Sequence, residues 1–286
     1  MRILRTIALS AVAAVGLTAA GPALAAGEGV GVIDRDWSFE GPLGTFDQAE
    51  LQRGWQVYMQ VCSSCHAMHQ VSFRNLGDPS GPGYSEEQVK AMAENFLMPV
   101  REVVNGELVD RTPTANDKIV GPYSIVTASG SIAYDEASWS DANKPPDLSV
   151  MTKARVGYTG IINQIVSGSG GPEYVYSLLM GYQDVPPEGF EPQGVLSYNR
   201  YYPGHQIAMA QPLYEGSVEY QDGAEATVEQ MSHDVTAFLA WAAEPTMVER
   251  KQAGVRNLIF LAIFGVLVWY SNKKLWKPIK DGGDAA

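Results

Sequence analysis

The sequence predicts a mainly α domain interrupted by long irregular insertions and followed by one C-terminal membrane-spanning helix. Three observations lead there: capped segments with apolar residues at helical spacing, Gly-, Pro- and Tyr-rich stretches between them, and an apolar run from Leu258 to Tyr270 followed by lysines.

At the amino end, Arg2 and Arg5 precede an apolar run from Ile7 to Ala20, and Ala23-Leu24-Ala25 supplies small residues for a cleavage site. Residues 1–25 are therefore expected to be a secretory signal peptide, with 26–250 exported to the periplasm. Gly27 to Gly44 reads as an extended entry segment. Thr45 and Gln48 then have capping-box spacing, and Leu51, Trp55, Tyr58, Met59 and Cys62 share one helical face. Gly54 on the flank is either a weak spot or a place where another helix crosses closely.

Val71 to Gly83 is turn-rich, and Ser85 to Gln88 opens a second helix carrying Val89, Met92, Ala93, Phe96 and Leu97, with Pro99 ending it. From Val100 to Pro146 helix signals are few, and short strands are expected near Ile119 to Ile132. Asp147 is a candidate cap for a helix running to Arg155, Gly157 to Gly171 reads as a short helix between Gly hinges, and Pro172 suits the first turn of the next helix. Gln183 to Gln221 is again irregular. Thr227 and Gln230 repeat the capping-box spacing before a helix whose buried face is Met231, Val235, Phe238, Leu239 and Ala242, and which must stop before Pro245.

The apolar run after that is only thirteen residues long. Arg256 can snorkel, Trp269, Tyr270 and Trp276 form an aromatic belt, and four lysines follow, so 251–276 is expected to be a transmembrane anchor with 277–286 as a cytoplasmic tail. Residues 27–252 hold 13 Lys and Arg against 30 Asp and Glu, a net charge of −17. Such a surface repels nucleic acid and speeds encounter with a basic soluble partner.

The chemistry centres on Cys62-Ser63-Ser64-Cys65-His66. This C-x-x-C-H spacing lets each thiol add to one porphyrin vinyl group while the adjoining imidazole is held beneath the iron, as in covalent c-type haem attachment. These are the only two cysteines, which excludes a four-thiolate cluster. A thioredoxin-like pair lacks its βαβ context, and a zinc site would have to recruit His69, His205 or His233 at unsuitable spacing.

A sixth ligand would close the iron for electron transfer. Most methionines lie at apolar helical positions, where core filling is the ordinary role. Met209 sits instead in the proline-flanked stretch Gln206 to Leu213, and His205 is its rival. Arg155 either caps a helix C-terminus or pairs with a haem propionate. His69 and His233 read as surface or helix-face residues.

Together with the haem motif, Pro145-Pro146-Asp147-Leu148-Ser149, Lys153-Ala154-Arg155, Gly171 to Ser177, Tyr198-Asn199, Ile207-Ala208-Met209 and Trp241-Ala242-Ala243-Glu244-Pro245 resemble the cytochrome c1 family, the haem subunit of the ubiquinol:cytochrome c reductase (bc1) complex. The resemblance runs from about Phe39 to Lys277. It implies a class I cytochrome c-like core carrying one covalent haem c on Cys62 and Cys65, with His66 and Met209 as axial ligands and Arg155 and Tyr174 near a propionate. It also implies cytochrome b and Rieske iron-sulfur partners, a soluble cytochrome c acceptor, an inner-membrane location and a dimeric complex. A free-standing anchored cytochrome c donating to a terminal oxidase is the alternative. Some relatives bridge an inserted loop with a second cysteine pair that this chain lacks, so the insertions at 119–137 and 157–170 are expected to be held by packing alone.

Overall fold

The structure is a computed structural model and describes residues 31–135, 144–155, 170–191 and 193–280. The expected signal peptide and most of the Gly157–Gly171 helix lie outside the described residues.

Helix α1 (Gln48–Gln60) starts two residues later than the Thr45 cap predicts, because the Asp47 carboxylate accepts from the amides of Ala49 (2.8 Å) and Glu50 (3.1 Å). Helix α2 (Glu86–Glu94) begins with the expected Ser85–Gln88 capping box but ends at Asn95, before Pro99 is reached. Helix α3 is one turn only (Met151–Ala154), and Asp147 does not cap it. Helix α4 (Gly171–Met180) carries Pro172 in its first turn, and α5 (Val228–Ala243) is capped by the Thr227 hydroxyl as expected.

The core lies where α1 crosses α5. Gly54 settles in favour of close crossing: a Cβ there would sit 2.1 Å from the Asp234 carbonyl oxygen and 2.6 Å from the Phe238 Cβ. Around the crossing, Trp55, Tyr58, Phe238 and Trp241 are fully buried and pack at ring separations of 5.6–6.0 Å, Trp55 on Tyr58 stacked and the other pairs tilted. Arg53 straps the two helices together with two bonds to the fully buried Asp234 (2.9 and 3.0 Å) and a third to Asp222 (2.9 Å).

The entry segment is not loose. Trp37 and Phe39 are buried, the Trp37 indole N–H donates to Glu173 (2.9 Å), and the Ile33 amide donates to Ser177 (2.7 Å), so the strap closes over α4 and α5. The first insertion is a four-stranded sheet. Strand β2 (Val100–Val104) pairs antiparallel with β3 (Glu107–Arg111) and parallel with β5 (Ser124–Val126), which pairs with β6 (Ile132–Tyr134). Two short ladders complete the strands, β1 (Met68–Ser72) with β4 (Lys118–Ile119) and β7 (Ser197–Tyr198) with β8 (Gln206–Ile207).

Contrary to the expectation of packing alone, the described part of this insertion is pinned by polar contacts. Arg101 reaches Asp135 (3.3 Å) and Ser124 reaches His69 (2.7 Å), while ahead of residue 119 Arg111 reaches Asp117 (2.7 Å) and Glu102 (3.0 Å).

The last helix, α6 (Met247–Lys280), is long and apolar enough to cross a membrane, and its most apolar stretch is not buried against the domain. It extends beyond the expected 251–276 at both ends and passes through Pro278.

Candidate haem site

Helix α1 stops at Val61, and the chain tightens into a 3₁₀ turn, Cys62–Ser64, that gathers the motif. The amides of Cys65 (3.1 Å) and His66 (2.9 Å) both donate to the Cys62 carbonyl, while the buried Tyr58 hydroxyl donates to the His66 carbonyl (2.9 Å). The turn is therefore fixed by its own backbone and by α1.

His66 Nδ1 lies 2.8 Å from the Pro146 carbonyl oxygen. A carbonyl only accepts, so the ring carries its proton on Nδ1 and presents Nε2 as a lone-pair donor, the form a metal takes. Burial holds the His66 pKa below its ordinary value, which keeps the imidazole neutral. Pro146 is brought there by 144–149, which runs beside β1: the Leu148 amide donates to the Ala67 carbonyl (2.9 Å) and the Gln70 amide to the Ser149 hydroxyl (2.9 Å).

The two thiols are free, with Cys65 exposed and Cys62 partly so. Burial, followed by the neighbouring Cys65, pushes the Cys62 thiol up to about 12. That is the opposite of the lowered pKa by which a redox-active C-x-x-C thiolate works. Among the described residues, the one group of three His, Cys, Asp or Glu close enough to share a metal is Glu50, His233 and Asp234, which contains neither cysteine. Thioether attachment with an imidazole ligand is thus the chemistry these donors fit.

Met209 follows β8 on a bend and is half-buried. Of the nine methionines after Met1, the other eight are in the hydrophobic core or packed against it, and Met209 is not. Its carbonyl accepts from the Tyr182 hydroxyl (3.0 Å). Tyr182 follows α4, and the buried Asn199 clamps the loop to that helix through Leu178 (2.8 Å) and the Tyr201 amide (3.0 Å). His205 has Nδ1 on the Arg200 carbonyl (2.9 Å) and stacks on Tyr198.

Arg155 and Tyr174 come together, the guanidinium 5.9 Å from the ring centroid; Tyr174 is buried and Arg155 half-buried. His233 keeps to its expected helix face, on α5, His69 does not, and each has partners from distant segments. His233 stacks on Trp37 (4.8 Å between centroids) and lies 3.1 Å from the Glu50 carboxylate. His69 lies in strand β1, not on a helix face, and its ring is engaged by Asp147 and Ser124. Neither was legible locally.

The match to known proteins covers this whole arrangement. Residues 37–279 match the model of the Cytochrome C1 family. "Cytochrome c1" of Cereibacter sphaeroides is 41% identical over 302 residues, 97% of each chain. "Cytochrome c1, heme protein, mitochondrial" of Saccharomyces cerevisiae is 39% identical over 85% of this chain and 72% of its own. "Cytochrome b/c1" of Bradyrhizobium diazoefficiens is 41% identical over 84% of this chain and 35% of its own length. The chain therefore belongs to the cytochrome c1 family, the haem subunits of bc1 complexes.

Proposed function

We propose that this chain is the membrane-anchored c-type cytochrome of a quinol:cytochrome c oxidoreductase, receiving one electron from a Rieske iron-sulfur protein and passing it to a soluble cytochrome c. When bound, the haem supplies one-electron iron chemistry. Cys62 and Cys65 would hold it by thioether bonds, and His66 Nε2 and the Met209 sulfur would be the ligands to its iron. The observation that carries this reading is that Met209, alone among the described methionines, is kept out of the core, on a loop tied by its backbone to Tyr182, while His66 has its Nδ1 already committed to the Pro146 carbonyl.

With both ligands supplied by the chain, small ligands would be kept out, and a thioether would raise the potential, which suits an acceptor of quinol-derived electrons. Arg155 beside Tyr174 is suited to meet a propionate, a planar guanidinium matching a carboxylate. The domain has a class I cytochrome c-like core and sits in the periplasm, with α6 spanning the inner membrane and the lysine-rich end inside. Its acidic surface attracts a basic cytochrome c, and a cytochrome b partner is supported by the Bradyrhizobium relative, whose name joins both cytochromes. Quinol oxidation belongs to partner subunits, and the complex is dimeric.

An optical redox titration of the detergent-purified protein tests this. A low-spin, high-potential c-type haem should copurify with b-type haem, and Met209→Leu should lower the potential and admit carbon monoxide. A lone c-type signal would favour the free-standing carrier; a Met209→Leu spectrum identical to the parent's would remove Met209 as ligand.

A further inference from the structure

The insertion and the haem motif are joined by a chain of side-chain contacts that ends on the carbonyl facing His66. Ser124, buried at the start of β5, accepts from the Gly121 amide (3.1 Å) and lies 2.7 Å from His69 Nε2. His69 Nδ1 faces the Asp147 carboxylate at 3.3 Å, and as a carboxylate only accepts, the ring proton sits on Nδ1 and Nε2 takes the Ser124 hydroxyl. The same Asp147 oxygen takes the His69 amide (2.7 Å), and its other oxygen takes the Ser149 amide (2.9 Å). Tyr134 of β6 lies edge-on to the His69 ring, and Lys144 covers the Tyr134 ring at 3.5 Å.

Pro146 has few means of its own to stay in place. Pro145 and Pro146 lack amide protons, so the residue whose carbonyl meets His66 Nδ1 and the residue before it cannot donate to a ladder. Its position is set by the next residue, whose carboxylate accepts two amides and faces His69 Nδ1, and by the Leu148–Ala67 bond just beyond.

We propose that His69 and Asp147 are positioning residues for the proximal ligand, transmitting the placement of the inserted sheet through Pro146 to His66. This rests on the haem reading above. An accepting carbonyl at Nδ1 makes the imidazole a stronger donor and so favours the oxidised iron. Loosening the carbonyl therefore raises the reduction potential.

The test measures the haem's midpoint potential at one pH in the full-length chain assembled in mild detergent. Ser124→Ala and His69→Leu change no carboxylate, and both should shift the potential upward. Asp147→Ala should shift it further than Asp147→Asn, because asparagine keeps an oxygen for the amide donors while losing the same charge. Equal shifts for Asp147→Ala and Asp147→Asn would mean that charge and not placement is sensed, and would overturn the proposal. So would unchanged potentials in Ser124→Ala and His69→Leu accompanied by lower melting temperatures, the signature of a purely structural network. A parent protein without a c-type α band would overturn the haem reading itself, and this inference with it.

Discussion

Gly54→Ala sets two effects of opposite sign against each other. Replacing glycine by alanine inside a helix ordinarily stabilises by about 1 kcal/mol, from backbone entropy and propensity. Here the new Cβ would sit 2.1 Å from the Asp234 carbonyl oxygen, and a carbon needs about 3.3 Å from such an oxygen even in close contact. The crossing would have to open by roughly 1.2 Å, the difference between that contact and the distance in the structure. Neither obstacle can swing aside, since one is α5 backbone and the other is the Cβ of the fully buried Phe238. Overpacking of a dense core costs about 1–3 kcal/mol or more, and loosening the Trp55–Phe238 contact adds to it. The steric effect wins, and a net loss of about 1–2 kcal/mol corresponds to a melting temperature some 2–8 °C lower in a domain of this size. Thermal unfolding of the parent and variant in the same detergent, followed by far-ultraviolet circular dichroism, reads the difference. A variant as stable as the parent, or more so, would refute the close crossing and leave helix propensity in charge.

The remaining predictions concern buried charge, pH and the loop. Arg53→Met strands the fully buried Asp234 and should lower stability by about 3–5 kcal/mol in urea titration, whereas Arg53→Met with Asp234→Leu should recover much of that loss. Burial raises the Glu50 pKa to about 7, with the Ser38 hydrogen bond opposing and Asp234 and Asp47 adding. A carboxyl raised above its unfolded value favours folding below about 4.5 and loses that contribution as pH climbs through about 7. Glu50→Gln should therefore nearly match the parent at pH 4.5 and exceed it by roughly 3 kcal/mol at pH 8, and urea midpoints that stay parallel across this window would show that Glu50 ionises freely. Asn199→Ala removes a buried amide holding Leu178 and Tyr201, should cost about 1–3 kcal/mol, and by freeing the Met209 loop should speed carbon monoxide binding to the reduced protein in stopped flow.

The helices were legible where a cap and an apolar face coincide, as at Ser85 and Thr227. The start of α1 was misread because Thr45 and Gln48 satisfy a spacing rule, whereas Asp47 wins by accepting two amides. The β2–β3 hairpin was missed although its signal is local: Asn105 and Gly106 both adopt positive φ (52° and 87°), the conformation an Asn-Gly turn favours between Val104 and Glu107. Trp37 and Phe39 offered another clue, since large aromatics in a Gly-rich entry segment need somewhere to be buried.

What sets the site apart is the sequence distance over which it is assembled. The residues named for haem attachment can be read from the sequence because covalent chemistry demands fixed residue types at fixed spacing. The groups that orient them obey no such demand. Any carbonyl can accept from His66, and the one that does belongs to a residue 80 positions away; His69 meets Ser124 across 55 positions. A proline carbonyl leaves no compositional trace of its partner, and an aspartate one residue later looks like an ordinary helix cap. The misreading of Asp147 and the surprise of His69 thus have one physical origin: each acts through a partner that only the folded insertion brings within reach. It follows that shortening the insertion should disturb the proximal side of the site more than its sequence distance suggests, while shortening the irregular stretch before Tyr198 should disturb the Met209 side.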